Sequence, residues 1–184
     1  LTLSIALIFS LILIEIFFIF FYPQPLNVSF LTHDQNGLTL NIKNGNASHV
    51  HQKRNVKYNF GEFHNRIYNF DNNKKKFLVL GDSFSFGWLI KDEDTFVYKL
   101  NNKFNDYYFI NASTGGWGTS DQLMYLTKFC QKIKPEKTII FINSEDIFRS
   151  YNSNLFNIDN SNKLITGKNE ISIFAKLSEN KFYR

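Results

Sequence analysis

The sequence predicts an α/β domain on a doubly wound parallel sheet, and three observations carry that prediction. Apolar runs of strand length, Lys76–Leu80, Tyr107–Ala112 and Lys137–Asn143, alternate with stretches of helical periodicity, so each strand is followed by a crossover that returns the chain parallel. Each run ends in a polar or glycine-rich loop, which collects chemistry-bearing residues at one rim of the sheet, where open α/β folds bind ligands. Finally, 184 residues, less a long apolar segment at the start, suffice for one core and no more.

Residues 1–22 are almost wholly Leu, Ile, Phe and Ala, interrupted by Thr2, Ser4, Ser10 and Glu15 and stopped by Pro23-Gln24-Pro25. About 20 apolar residues span a bilayer. A cleavable signal peptide has a shorter apolar region, about 7 to 15 residues, and a small-residue cleavage site, and neither is visible here. Glu15 costs about 2.5 to 3.5 kcal/mol near the helix centre, but each Leu, Ile or Phe returns about 0.3 to 0.6, so the segment still inserts. The expectation is a single-pass membrane protein. With no initiator Met at Leu1 the flanking charges that set topology are expected to be missing, and an extracytoplasmic domain is expected by analogy.

Residues 23–73 are polar, rich in Asn and His and weakly patterned, with short strands at Leu38–Ile42 and Val56–Phe60. They read as a spacer and lead-in layer. The domain proper is expected over 74–184. Thr95, Phe96, Tyr98, Leu100 and Phe104 mark an amphipathic helix. Thr119 or Ser120 caps a second, with Leu123, Leu126, Cys130 and Ile133 on its packed face and Pro135 beyond its end. A hairpin through Leu155–Ile165 and a helix over Ile171–Tyr183 follow. Three strands make a thin sheet, and the chain reads as cut at both ends.

The net charge of +5 comes from dispersed lysines, and Lys74-Lys75-Lys76 reads as a solvated turn before a strand, so nucleic acid is not an expected partner. The single cysteine, Cys130, excludes an internal disulfide and any multi-cysteine metal site. His33, His49, His51 and His64 all precede the first long strand and read as solvated loop residues. His49-x-His51 can share a strand face, but no third ligand is patterned with them and no metal is expected.

The first domain strand runs into Gly81-Asp82-Ser83, the second into Asn111-Ala112-Ser113-Thr114-Gly115-Gly116, and the third into Asn143-Ser144-Glu145-Asp146. A serine hydroxyl needs a base to take its proton, and the tetrahedral oxyanion it forms needs donors already aimed at it. Ser83 at a strand-to-helix turn offers an exposed oxygen and its own N–H, and glycines let backbone amides approach a ligand closely. Taken in order over Phe77–Arg149, the three segments resemble the blocks of the SGNH, or GDSL-type, esterase and lipase superfamily.

That resemblance implies a three-layer, flavodoxin-like parallel sheet and no cofactor. It makes Ser83 the nucleophile, with the N–H groups of Ser83 and Gly116 as two arms of an oxyanion hole and Asp82 and Asp146 organising the loops. The third arm, an asparagine in the family, falls on Glu145, and an ionised glutamate donates no hydrogen bond. Asn143, two residues earlier on the same strand face, is a possible substitute; a Glu145 kept protonated by burial is another. The family's closing Asp-x-x-His, which supplies acid and base, does not follow Asp146, so residues 1–184 are expected to turn over negligibly alone. Trp88, Trp117 and Phe86 lie near these motifs but are assigned no role. The implied substrate is an ester-containing lipid or an acylated carbohydrate at a membrane. Acetyl transfer to surface polysaccharide, and glycan binding without cleavage, are the competing readings.

Overall fold

In a computed structural model the described residues are 2–21, 30–51, 54–68 and 73–167. The final expected helix, Ile171–Tyr183, lies outside them. Helix α1, Thr2–Phe21, is long and apolar enough to cross a membrane, and none of its residues is buried against protein.

The domain is built on strands β5 (Lys75–Leu80), β6 (Tyr107–Asn111) and β7 (Lys137–Ile140), all parallel and ordered β6-β5-β7. Between them run α2 (Ser83–Phe86), α3 (Phe96–Lys103) and α4 (Thr119–Ile133), and α5 (Asp146–Ser153) follows β7. Alternation along each strand sorts side chains to two faces. Leu78, Leu80, Tyr108 and Ile110 join Met124, Tyr125 and Ile133 of α4 in one cluster, whereas Val79 and Phe109 join Val97 of α3 in another, so helices cover both faces as the alternating pattern predicted.

Element boundaries differ in instructive ways. The third strand ends at Ile140 rather than Asn143, because the Asn143 amide N–H turns to bond the Asp146 carboxylate at 3.1 Å. The cap of α4 is Gly118, whose N–H donates to the Asp121 carboxylate at 3.0 Å. Its packed face is the expected one in part, since Leu126 and Ile133 meet the core, but the buried stripe is rotated toward its other side. Met124, Tyr125 and Ile133 are buried, while Leu123 is exposed and Cys130 only half-buried. The rotation follows from Gln122, which faces inward to donate to the Phe141 carbonyl at 3.1 Å. Thr95 caps α3 by accepting the Tyr98 N–H, and the expected hairpin is present as β8 (Phe156–Ile158) paired with β9 (Leu164–Thr166).

The expected spacer is more than a tether. Its described part folds as two hairpins, β1 (Leu31–His33) with β2 (Thr39–Asn41) and β3 (Asn46–His51) with β4 (Arg54–Asn59). Leu38 and Leu40 enter the main core beside Leu78 and Trp117, and Phe30, Val56, Tyr58 and Phe60 pack around Phe86 of α2. Short strands with Asn between apolar residues hid this contribution, because each hairpin alone buries too little surface to be recognised.

One buried cation ties this layer to the domain. The Arg66 side chain is fully buried and donates to the carbonyls of Phe86 at 2.9 Å, Gly87 at 3.1 Å and Ile90 at 3.1 Å, and it pairs with the Asp92 carboxylate. Its guanidinium also lies 4.6 Å from the Tyr58 ring centroid. Arg66→Met would remove a donor from three carbonyls and from a carboxylate. Breaking such a buried pair from one side costs about 3 to 5 kcal/mol, and urea unfolding of the variant is expected to show a loss of that size.

Candidate functional site

Strand β5 ends at Leu80, Gly81 turns the chain, and Asp82 caps the four-residue α2 by accepting the Phe84 N–H at 2.9 Å. Ser83 therefore stands as the first residue of that turn, half-exposed at the carboxyl rim of the sheet. It lines an open cavity of about 460 Å³ together with Phe84, Trp88, Ile90, Gly115 and Gly116. The sheet's rim thus brings Ser83 and Gly116 to one cavity. Gly116 has φ +83, a left-handed conformation that favours glycine, and no atom lies within 4 Å of where its Cβ would be. No described residue accepts a hydrogen bond from the backbone N–H of Ser83 or Gly116, and none bonds the Ser83 hydroxyl.

Behind this turn lies a polar network centred on Asp82, which is 4 % exposed. One Asp82 oxygen caps the helix, while the other accepts from the Asn143 amide at 2.6 Å and the Arg149 guanidinium at 3.0 Å. Arg149 also reaches the Glu145 carboxylate at 2.7 Å and the Asp146 carboxylate at 3.4 Å. Its hydrogen bond to Asp82 holds the guanidinium pKa above the ordinary arginine value, so its charge is permanent. From β6, the buried Asn111 amide donates to the Ser85 carbonyl at 2.9 Å and its oxygen accepts from the Ser113 N–H. All three strand ends are thereby locked to one another.

The two routes to a third donor fare differently. The Asn143 amide gives one N–H to Asp82 and keeps a second, while its carbonyl oxygen accepts the Glu145 N–H at 2.8 Å. The Glu145 side chain is 73 % exposed and paired with Arg149, so the burial needed to keep it protonated is absent. Asp146 is fully buried and holds the 143–146 turn, in keeping with an organising role.

Two histidines expected as solvated loop residues are instead packed. His64 donates from Nδ1 to the Asn41 carbonyl at 2.6 Å, and His49 sits edge-on to Trp88 at 4.6 Å with its Nδ1 3.1 Å from the Tyr58 hydroxyl. Burial lowers the pKa of both. Neither bonds Ser83. Of the three aromatics left without a role, Trp88 lines the cavity, whereas Phe86 and Trp117 are fully buried core residues. Sequence reasoning missed Arg66 and Arg149. Arg149 had a legible signal, since it lies four residues after Glu145 on one helical turn; Arg66 had none, because its carbonyl partners lie 20 to 24 residues away.

No family model matches the chain, and a search of curated proteins finds no match.

Two further carboxylates respond to this setting. Burial raises the pKa of Asp121 and, with the charge of Asp82 adding, that of Asp146. A carboxyl whose folded pKa exceeds its unfolded value binds its proton more tightly when folded. Stability is then greatest below the unfolded value and is lost as pH rises through the folded one. Asp121→Asn keeps an acceptor for the Gly118 N–H and removes the buried charge. Its stability relative to wild type is expected to increase from about pH 4 to about pH 7, read by urea titration at each pH; a difference independent of pH would contradict the assignment.

Proposed function

We propose that this chain is a membrane-anchored serine hydrolase of ester bonds, of SGNH type, with Ser83 as nucleophile. The observation that carries the reading is that Ser83 and Gly116, whose backbone N–H groups no described residue accepts, line one cavity. That is what acyl transfer to serine needs at its tetrahedral stage: an attacking oxygen and donors fixed where negative charge develops. The order of motifs on successive parallel strands supports it, as does the position of the site beyond the carboxyl ends of β5, the central strand, and its neighbour β6. The apolar helix Thr2–Phe21 supports a membrane anchor.

In this reading Asp82 positions the nucleophile without touching the substrate. Its carboxylate fixes the turn that exposes Ser83 and fastens it to the Asn143–Arg149 segment. The base that activates Ser83 is not among the described histidines, and the two N–H donors alone provide a partial oxyanion hole.

The reading is tested with a fluorophosphonate probe, which is attacked by an activated serine and leaves a covalent phosphonyl adduct. Intact-mass analysis of the full-length protein is expected to show one adduct, located on Ser83 by peptide mapping and absent in Ser83→Ala; labelling that persists in Ser83→Ala would sink the assignment. Glu145→Asn tests the third arm. An amide donor is worth about a hundredfold to a thousandfold in kcat, so a faster enzyme is expected, and an unchanged rate would show that position 145 has no part in the oxyanion hole.

A further inference from the structure

The walls of the Ser83 cavity carry information about what enters it. Its side chains are Ser83, Phe84, Trp88 and Ile90, and its floor is the backbone of Gly115 and Gly116. Among the described residues no ionisable group lines it, and its polar side-chain atoms are the Ser83 hydroxyl and the Trp88 indole N–H. A sugar ring would bring several hydroxyls, each costly to bury without a partner. At about 460 Å³ the cavity falls within the range of small-molecule sites, roughly 300 to 1,000 Å³, far beyond the need of a two-carbon acetyl group.

The aromatic wall is fixed. The benzenoid ring of Trp88 lies so close over Gly115 that a Cβ there would come within 2.7 Å of it. His49 meets the indole edge-on at 4.6 Å and Phe30 flanks it at 5.5 Å. Leu89, held at φ +56, donates its N–H to the Tyr58 hydroxyl at 2.8 Å, and Arg66 binds the carbonyls of Gly87 and Ile90 on either side. A wall tied at both ends sets a definite depth, and pre-set apolar depth selects by chain length.

We infer that this cavity takes an uncharged, apolar acyl chain longer than acetyl, with Trp88 laid over Gly115 as the specificity-determining wall; the inference rests on the reading of Ser83 as nucleophile. The acyl carbonyl sits at Ser83 and the chain runs along Trp88 and Ile90.

The test uses the full-length protein in lipid nanodiscs with two readouts. The first is kcat/KM for p-nitrophenyl esters from acetate to hexanoate. The second is binding of unreactive N-methyl alkanamides of the same lengths, followed by quenching of tryptophan fluorescence, with Trp88→Phe identifying the share due to that residue. Each added methylene is expected to raise both by about fourfold. Gly115→Ala, which drives the indole from its seat, is expected to cut the hexanoyl-to-acetyl ratio by roughly fifteenfold, the worth of two methylenes. Should that variant not fold, Trp88→Val must instead shift the preference toward longer chains. Alkanamide binding that grows with length while no ester is turned over supports the cavity assignment and removes the serine-hydrolase reading. Ester turnover through Ser83 that is flat or falls beyond acetate overturns the inference and leaves that reading standing. Neither activity overturns both, and quenching by maltohexaose in place of the alkanamides overturns the apolar assignment in favour of a sugar.

Discussion

The candidate site depends on a single buried carboxylate. Asp82 stands where β5 ends, and its two oxygens do different work: one caps the turn that begins at Ser83, the other binds Asn143 and Arg149 from the segment after β7. A carboxylate is suited to this because it accepts from several directions at once, and bonds to an ionised acceptor are stronger than neutral ones. Without it the Ser83 turn would lose its cap, and Arg149, already shared with Glu145 and Asp146, would lose a buried partner.

Arg66 does for the wall of the cavity what Asp82 does for its nucleophile. Three carbonyls of the 86–90 loop point inward, and one planar guanidinium donates to all three while Asp92 balances its charge. The layer before β5 is therefore part of the site's construction. It supplies Arg66, the Tyr58 hydroxyl under Leu89 and the His49 ring beside Trp88. The loop it holds includes Leu89 at positive φ, a conformation a leucine adopts only when its surroundings impose it.

The exposed apolar side chains near β7 and α5 contrast with this tightly bonded rim. Phe141, Ile142, Ile147, Phe148 and Tyr151 are all exposed, while the polar residues between them, Asn143, Asp146 and Arg149, are engaged in hydrogen bonds. The network, rather than apolar burial, shapes this end of the domain. That accounts for the short third strand: the Asn143 backbone N–H goes to the Asp146 carboxylate and not to the sheet.

Strand alternation, helix periodicity and the glycine and acid punctuation were enough to read three parallel strands with helices on both faces, the apolar first helix, and Ser83 and Gly116 at one rim. These features are encoded locally, in periods of two and 3.6 residues and in turn chemistry. Which face α4 buries, which histidines pack, and the roles of Arg66, Asn143 and Arg149 were decided only by tertiary structure. Each depends on partners far along the chain, and a hydrogen bond across sixty residues, like that of Asn143 to Asp82, leaves no periodic trace in sequence.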